Sequence, residues 1–263
     1  MKIDLKAIET TCCEVAVQAG LKIMEIYKNE ELFTQVEYKS DDSPLTLADK
    51  AANDIIVARL RKEFPEFAIL SEEERDNLDR LKNPYCFIVD PLDGTKEFVK
   101  RNGQFTVNIA LSYEHRSILG VIYVPATGEL YYASKGNGSY YKGVDDVQVV
   151  NQVSKEEDLS KVRLVMSGSH GCKEMEDLIE KHQFQHFLRM GSSLKGCLVA
   201  KGEAEIYYRH NPTMEWDTAA MQCIAEEAGA IFKQMDDSEM LYNRENSLNE
   251  KGFYIINTRK NRI

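Results

Sequence analysis

The sequence predicts a mixed fold, with an α+β N-terminal part at residues 1–150 and an α/β C-terminal part at residues 151–263. Three observations support this prediction. Two amphipathic segments open the chain, three consecutive strand-like segments follow, and strand-like and helix-like segments alternate in the second half. Such alternation favours a sheet with helices packed on its faces. The polar stretch at residues 145–159 contains the predicted boundary between the two parts.

The two opening segments, residues 5–27 and 45–64, carry apolar residues near helical spacing and are predicted to be helices. In the second segment, Thr46 is a candidate N-cap, and Asp49 three residues later completes a capping box. Pro65 ends this helix, because proline cannot donate the backbone hydrogen bond that a continuing helix needs.

Tight turns separate three further segments, which predict an antiparallel meander of strands. The predicted strands of the meander are residues 105–113, 118–124 and 129–133. In the second half, predicted strands at residues 163–166, 186–190, 204–208 and 253–256 alternate with predicted helices at residues 173–182, 191–202 and 215–228.

Composition narrows the class of protein. The net charge of −10 argues against non-specific nucleic-acid binding, which needs a basic surface. No apolar run approaches the roughly 18 residues of a membrane-spanning helix, and the first residues lack the features of a signal peptide. The six cysteines are scattered without a C-x-x-C pair, which favours reduced thiols over disulfides or zinc. These features predict a cytoplasmic protein, with peripheral attachment to the inner face of the cell membrane left open.

The stretch at residues 86–95 carries the strongest indication of chemistry. Residues 86–89 are predicted to form a short buried strand, and two carboxylates, Asp90 and Asp93, follow it. Asp93 alone could simply cap a helix. Asp90 fits that explanation less well, because a carboxylate at the end of a buried strand needs a compensating cation. The run D-P-L-D-G-T therefore predicts a metal site.

More carboxylates are needed to complete such a site, since Mg²⁺ binds about six oxygen ligands. Glu72 and Glu73 close the predicted strand at residues 68–70, and Asp217 lies at the start of a predicted helix. The alternatives are a solvated acidic turn for the glutamates and a favourable helix-dipole position for Asp217. Converging carboxylates would hold two or three divalent cations, which can activate a water and stabilise the leaving oxygen of a phosphate ester.

Other residues fit phosphate chemistry. Thr95 at a helix start could orient a water, and Asp49 could orient or deprotonate it, although its capping role explains Asp49 equally well. Gly191 and Ser192 open another helix that offers amides to a phosphate, and Lys195 follows one turn later. His170 and Arg209 are weaker candidates, since such residues are more often found on surfaces or loops.

Three motifs resemble those of the inositol monophosphatase superfamily of Mg²⁺-dependent, lithium-sensitive phosphatases. The motifs are Leu70-Ser71-Glu72-Glu73, Asp90-Pro91-Leu92-Asp93-Gly94-Thr95 and Trp216-Asp217-Thr218-Ala219-Ala220. Within that superfamily, Lys96-Glu97-Phe98 and the run Gly191–Lys195 are similar to the CysQ-type 3′(2′),5′-bisphosphate nucleotidases. The resemblance covers essentially the whole chain and implies a layered αβαβα sandwich.

The resemblance also implies roles for individual residues. It assigns two or three Mg²⁺ ions to Glu72, Asp90, Asp93, Asp217 and the main-chain carbonyl of Leu92. It assigns the attacking water to Thr95 with Asp49 or Glu72, and the scissile phosphate to the amides of Gly94 and Thr95. It assigns the nucleotide and its second phosphate to His170, Gly191, Ser192, Lys195 and Arg209. The substrate would further meet Glu72, Leu92, Asp93 and Asp217.

The implied activity is hydrolysis of the 3′-phosphate of adenosine 3′,5′-bisphosphate to AMP and phosphate, with a metal-activated water as the nucleophile. The implied role is recycling of a by-product of sulfate assimilation by a monomer or homodimer acting on a small nucleotide bisphosphate. One alternative is an inositol-phosphate or sugar-phosphate phosphatase on the same scaffold. The other is a non-catalytic metal-binding module, against which the complete set of metal carboxylates argues.

Overall fold

The computed structural model describes residues 3–34, 36–38, 44–168 and 173–263. The α-helices of these residues are α1 (Leu5–Lys28), α2 (Glu30–Phe33), α3 (Leu47–Glu63), α4 (Thr95–Val99), α5 (Lys173–His182), α6 (Leu194–Ala200) and α7 (Glu215–Glu227). Short 3₁₀ helices lie at Asp79–Lys82 and Arg259–Asn261.

The strands before residue 151 are β1 (Val36–Tyr38), β2 (Pro44–Thr46), β3 (Ala68–Ser71), β4 (Tyr85–Asp93), β5 (Thr106–Tyr113), β6 (Arg116–Val124), β7 (Glu129–Ser134), β8 (Ser139–Lys142) and β9 (Gln148–Val150). The later strands are β10 (Arg163–Ser167), β11 (His186–Met190), β12 (Ile206–Arg209), β13 (Thr213–Met214), β14 (Ile231–Gln234), β15 (Leu248–Asn249) and β16 (Phe253–Ile256).

Strands β3 to β9 form a seven-stranded sheet in chain order. Only its first pair, β3 and β4, runs parallel; the other pairs are antiparallel. Alternate side chains of a strand point to opposite faces. In β4, Phe87 and Val89 accordingly pack against α1 and α3, whereas Cys86 and Ile88 pack in the cluster that contains α6 and α7. Helices therefore cover both faces of this sheet.

A second sheet has five strands in the order β11-β10-β12-β16-β14. Tyr207, Phe253 and Ile255 of this sheet join α6 and α7 in the central cluster. On the opposite face, Leu164 and Ile206 pack with Met175 of α5. The layers are thus helix, seven-stranded sheet, helix, five-stranded sheet and helix, which confirms the predicted αβαβα sandwich.

The middle helical layer lies very close to the seven-stranded sheet. A Cβ atom added to Gly120 of β6 would come within 2.2 Å of the carbonyl oxygen of Ala220 in α7. Because only glycine allows this approach, α7 can bring Asp217 at its first turn to the end of β4. The packing of these two elements thereby positions one carboxylate of the site described below.

Several predicted bounds need correction. The helix predicted at residues 45–64 begins at Leu47, because residues 44–46 pair with β1 as strand β2. The strand predicted at residues 86–89 runs from Tyr85 to Asp93, with an irregular register between Asp90 and Asp93. The helix predicted at residues 191–202 starts only at Leu194. Strands β1, β2, β8, β9 and β13 to β15 were not predicted as strands.

Other predictions hold. The helix at residues 173–182 and the strands at residues 186–190 and 253–256 are observed with the expected bounds. The capping box of Thr46 and Asp49 is also confirmed. Among the described residues, none of the helices is both long and apolar enough to span a bilayer. The division of the chain at residue 150 stays a prediction.

Candidate active site

Three carboxylates meet where β4 ends. Oxygen atoms of Asp90, Asp93 and Asp217 all lie within 4.8 Å of one another. Asp90 and Asp93 come from the bulged end of β4, and Asp217 comes from the first turn of α7. A bulge redirects side chains that would otherwise alternate. It allows two aspartates three positions apart to face the same point.

Asp90 is the most enclosed of the three, with 1% of its surface exposed. One of its oxygens accepts a hydrogen bond of 3.0 Å from the amide of Leu92. Desolvation raises its pKa well above the usual range, and the neighbouring charges of Glu72 and Asp93 raise it further. Glu72 also shares a hydrogen bond with Asp90. Glu72 therefore extends the cluster to the end of the adjacent parallel strand β3.

Asp93 is held from the C-terminal half of the chain. The backbone amide of Ser193 donates a 2.6 Å hydrogen bond to Asp93 Oδ2, and Asn108 Nδ2 lies 3.4 Å from the same oxygen. The Ser193 hydroxyl and the Thr106 hydroxyl both lie 2.9 Å from Asn108 Oδ1. This buried network fixes Oδ2 and leaves the other carboxylate oxygen of Asp93 for the cluster.

Asp217 both caps the N-terminus of α7 and lies in the carboxylate cluster. Its Oδ2 accepts a 2.7 Å hydrogen bond from the amide of Met214, which closes the N-terminus of α7. Desolvation and the charge of Asp93 raise the pKa of Asp217. We call Glu72, Asp90, Asp93 and Asp217 the acidic wall. Its carboxylates are mutually repulsive, and a hard divalent cation would relieve that repulsion. The donor set therefore fits Mg²⁺.

Thr95 and Asp49 lie beside the acidic wall. The Thr95 hydroxyl is 3.2 Å from Asp49 Oδ1 and 3.2 Å from the carbonyl oxygen of Leu92. Asp49 Oδ2 accepts hydrogen bonds from the amide and the hydroxyl of Thr46. The cap to Thr46 and the contact with Thr95 thus use different oxygens of Asp49. Burial raises the pKa of Asp49 to about 7, although the hydrogen bonds from Thr46 oppose the rise.

Leu92 presents only its backbone to this region. Its side chain is fully buried in the N-terminal core, whereas its carbonyl oxygen contacts the Thr95 hydroxyl. Gly94 follows with a φ of 88°, a conformation that favours glycine. This turn starts α4 directly after the carboxylates and brings Thr95 back beside Leu92.

Positive charge faces the acidic wall. Lys195 in α6 is 6% exposed, its Nζ lies 2.5 Å from the carbonyl oxygen of Ser192, and it lies 5.5 Å from the ring centre of Tyr207. Burial lowers the pKa of Lys195 to about 8, although the charge of Asp93 opposes the fall. Arg209 at the end of β12 has a buried Nε without a hydrogen-bond partner among the described residues. We call Lys195 and Arg209 the basic wall.

A cleft of about 430 Å³ separates the two walls. The residues that were predicted as site residues and line it are Glu72, Asp93, Gly94, Thr95, Gly191, Ser192, Lys195, Arg209 and Asp217. Asp49, Asp90 and Leu92 lie buried beneath its floor. His170 lies outside the described residues. The cleft therefore brings together carboxylates, a hydroxyl and cations from both halves of the chain.

The sequence did not assign several residues that shape the cleft. Ser193 and Asn108 hold Asp93, and Glu97 lines the cleft with 8% of its surface exposed. Glu97 and Ser193 stand within quoted motifs and Asn108 within a predicted strand, but their burial and partners depend on tertiary packing. Apolar lining comes from Tyr207, Met214, Met221, Leu248 and Phe253.

Comparison with known proteins agrees with this architecture. A sequence profile described as the "Inositol monophosphatase family" matches residues 4–261. The chain belongs to the inositol monophosphatase family. The resemblance seen in its three motifs is thereby confirmed over nearly the whole chain.

Individual relatives are similar along nine tenths or more of their length. A protein of Salmonella typhimurium named 3′(2′),5′-bisphosphate nucleotidase CysQ is 39% identical over 246 residues, covering 92% of this chain and 97% of the relative. A protein of the same name from Buchnera aphidicola is 40% identical over 245 residues, covering 92% and 91%. The crystal structure of CysQ from Bacteroides thetaiotaomicron superposes with a TM-score of 0.84 at 39% identity, covering 96% of this chain and 98% of that one.

Proposed function

We propose that the chain is a Mg²⁺-dependent phosphatase that hydrolyses the 3′-phosphate of adenosine 3′,5′-bisphosphate to AMP and phosphate. One observation carries this proposal: an acidic wall and a basic wall face each other across one cleft. A substrate with two phosphates needs two anion sites. Cations on the acidic wall would take the phosphate to be cleaved, and Lys195 and Arg209 would take the other.

The names of the relatives support the same substrate class. The Salmonella, Buchnera and Bacteroides proteins all carry the name CysQ, and the first two are named as 3′(2′),5′-bisphosphate nucleotidases. Their identity of about two residues in five extends over nine tenths or more of this chain. The recycling of a by-product of sulfate assimilation is part of the same proposal. The cytoplasmic location and the monomeric or dimeric state stay predictions from the sequence.

In this proposal, Glu72, Asp90, Asp93, Asp217 and the carbonyl of Leu92 hold two or three Mg²⁺ ions. When bound, such ions make a water more acidic and stabilise negative charge on a phosphate and its leaving oxygen. The chain's own groups orient the attacking water. The Thr95 hydroxyl would accept a hydrogen bond from this water, and Asp49 Oδ1 accepts the hydrogen bond that fixes the Thr95 hydroxyl.

The remaining groups bind the substrate. The amides of Gly94 and Thr95, at the start of α4, would contact the phosphate to be cleaved. Gly191, Ser192, Lys195 and Arg209 would contact the second phosphate and the nucleoside. His170 belongs to the same proposed set on the strength of the sequence alone. Apolar lining residues such as Met214 and Leu248 offer a surface for the base.

A phosphate-release assay tests the proposal. We expect the purified chain in Mg²⁺ to release phosphate from adenosine 3′,5′-bisphosphate much faster than from inositol 1-phosphate, and lithium to inhibit the reaction. Omission of Mg²⁺ should abolish release. A preference for the inositol ester would instead identify an inositol-phosphate phosphatase. Absence of release from either ester would favour a non-catalytic metal-binding module.

A further inference from the structure

Glu97 is a buried carboxylate that the proposed chemistry does not use. It belongs to α4, one turn after the aspartates, and its side chain lines the cleft with 8% of the residue exposed. Burying a charged group is costly unless partners compensate it. The partners of Glu97 therefore indicate what it does.

Two partners of Glu97 lie in the loop between α4 and β5, and its charge also acts on Lys195 in α6. The amide group of Asn102 donates to the Glu97 carboxylate, and the backbone amide of Asn102 lies 3.3 Å from the carbonyl oxygen of Glu97. Lys100 Nζ is 3.8 Å from the carboxylate. The side-chain carbonyl of Asn102 in turn accepts a 2.9 Å hydrogen bond from the backbone amide of Gln104. Glu97 thus fixes the path of the chain into Gln104.

Gln104 connects the loop after α4 to the basic side of the cleft. Its side-chain Oε1 accepts a 2.8 Å hydrogen bond from the backbone amide of Gly191. A Cβ atom added at Gly191 would come within 2.8 Å of the Gln104 carbonyl oxygen and 3.0 Å of Glu97 Cγ. The loop from the N-terminal half therefore packs directly against the turn that precedes α6.

That turn has a strained backbone. Ser192 has a φ of 44°, a left-handed conformation that is unfavourable for a residue with a Cβ atom. The carbonyl oxygen of Ser192 lies 2.5 Å from Lys195 Nζ, so the turn also sets the direction of the lysine. A strained conformation persists only when surrounding contacts over-determine it. The Gln104 hydrogen bond and the close packing of Gln104 and Glu97 around Gly191, which leaves no room for a Cβ atom there, supply such constraints.

We infer that Glu97 is a positioning residue for the second phosphate of the substrate, acting through Asn102 and Gln104 on the Gly191–Ser192 turn. It holds Ser192 and Lys195 in the arrangement that recognises a bisphosphate. This inference rests on the proposed function for the identity of the ligand. It assigns a physical role to one residue of the Lys96-Glu97-Phe98 motif.

Steady-state kinetics test this inference with two substrates. In Glu97→Ala, we expect the KM for adenosine 3′,5′-bisphosphate to rise about tenfold, the effect of one lost charged hydrogen bond. The KM for adenosine 3′-monophosphate should change less than about twofold, since it lacks the second phosphate. Glu97→Gln keeps the chain length and an oxygen that can accept from Asn102. Its KM values should stay near those of the wild type.

A double-mutant cycle distinguishes an effect transmitted through Asn102 and Gln104, here called the relay, from a direct effect of the Glu97 charge. Asn102→Ala should reproduce the selective rise in KM, and the Glu97→Ala/Asn102→Ala pair should add little to either single change. The inference would be overturned if Asn102→Ala left the KM for the bisphosphate unchanged. It would also be overturned if Glu97→Ala raised the KM of both esters equally. A KM raised as much in Glu97→Gln as in Glu97→Ala would also overturn it, because the charge would then act directly.

Hydrogen exchange gives a readout that needs no substrate. The Gly191 amide donates to Gln104, and loss of the relay should make its exchange about tenfold faster in Glu97→Ala. Unchanged exchange at Gly191 would overturn the inference. If the wild-type chain hydrolysed neither adenosine ester, the proposed function would fail, whereas the exchange comparison would still decide the positioning role. Glu97→Gln serves as the folded control in both measurements.

Discussion

The two walls of the cleft are held in different ways. Backbone amides fix the acidic wall: Leu92 donates to Asp90, Ser193 to Asp93 and Met214 to Asp217. The basic wall has fewer such constraints. Lys195 donates to the carbonyl oxygen of Ser192, and the Nε of Arg209 has no hydrogen-bond partner among the described residues.

This difference matches two different tasks. Cation positions must be reproducible to a fraction of an ångström, and amide donors from secondary structure provide that rigidity. An anion site needs donors that become fully paired only when the ligand arrives. Desolvation raises the pKa values of the carboxylates and lowers that of Lys195, so a ligand of opposite charge would stabilise the ionised form of each wall.

The largest effect should come from neutralising the acidic wall. Asp93→Asn removes one negative charge at the cation site, and we expect kcat/KM to fall by about three orders of magnitude, or roughly 4 kcal/mol of transition-state stabilisation. The fold should persist, because the asparagine oxygen can still accept from the Ser193 amide. Phosphate release and thermal unfolding measure the two expectations separately.

Asp54→Asn is a suitable control for that variant, since Asp54 is exposed on α3 and lies outside the cleft. It should leave both activity and melting temperature unchanged. Turnover retained in Asp93→Asn would contradict the assignment of Asp93 to the cation site. A collapse of the melting temperature would mean that the charge of Asp93 is required for folding rather than for chemistry.

Removal of a charge from the basic wall should have a smaller effect, and this effect should be largely restricted to the bisphosphate. Lys195→Met keeps most of the buried volume against Tyr207 but removes the charge. We expect the KM for adenosine 3′,5′-bisphosphate to rise about 10- to 100-fold, because a hydrogen bond to a charged group contributes about 1.5–3 kcal/mol. The KM for adenosine 3′-monophosphate should change much less.

Lys201→Met is the matched control. Lys201 follows α6, pairs with Glu203 at 2.8 Å and lies 4.1 Å from the ring centre of Tyr141, away from the cleft. Its loss should leave the KM of both esters unchanged. Equal rises for the two esters in Lys195→Met would mean that the lysine does not contact the second phosphate.

The two walls also differ in how far the sequence could predict them. Asp90, Leu92, Asp93 and Thr95 stand within six residues of one another, so one motif contains half of the acidic wall and the hydroxyl beside it. The antiparallel meander and the alternating second half gave the fold class, because strand periodicity and tight turns are local properties. The layering came from the family resemblance.

The rest depends on contacts between distant segments. Ser193 reaches Asp93 across 100 positions of the chain, and Gln104 reaches Gly191 across 87. Nothing local to Glu97 shows that it is buried or that its partner is Asn102. The bulge that turns Asp90 and Asp93 to the same point was likewise missed, since it is visible only in the pairing of β4 with β5.

Ser193 links the two walls, because its amide fixes Asp93 while it is also the N-cap residue of α6, the helix that carries Lys195. Ser193→Ala keeps the amide and removes the hydroxyl that lies 2.9 Å from Asn108 Oδ1. The amide should then be held less firmly. We expect kcat/KM to fall about three- to fivefold, consistent with the loss of one neutral hydrogen bond.

Although this expected fall in kcat/KM is the smallest, a comparison of the two adenosine esters makes it informative. Looser placement of Asp93 acts on the phosphate being cleaved, so Ser193→Ala should slow both adenosine esters equally, unlike Lys195→Met. Ser134→Ala is the control, since Ser134 is equally buried and donates a 2.6 Å hydrogen bond to Glu9 far from the cleft. It should lower stability by about 1.5–3 kcal/mol, because its partner is a carboxylate, without changing kcat/KM. An effect of Ser193→Ala on the bisphosphate alone would place Ser193 with the basic wall, and the network around Asn108 would then serve packing and not the orientation of Asp93.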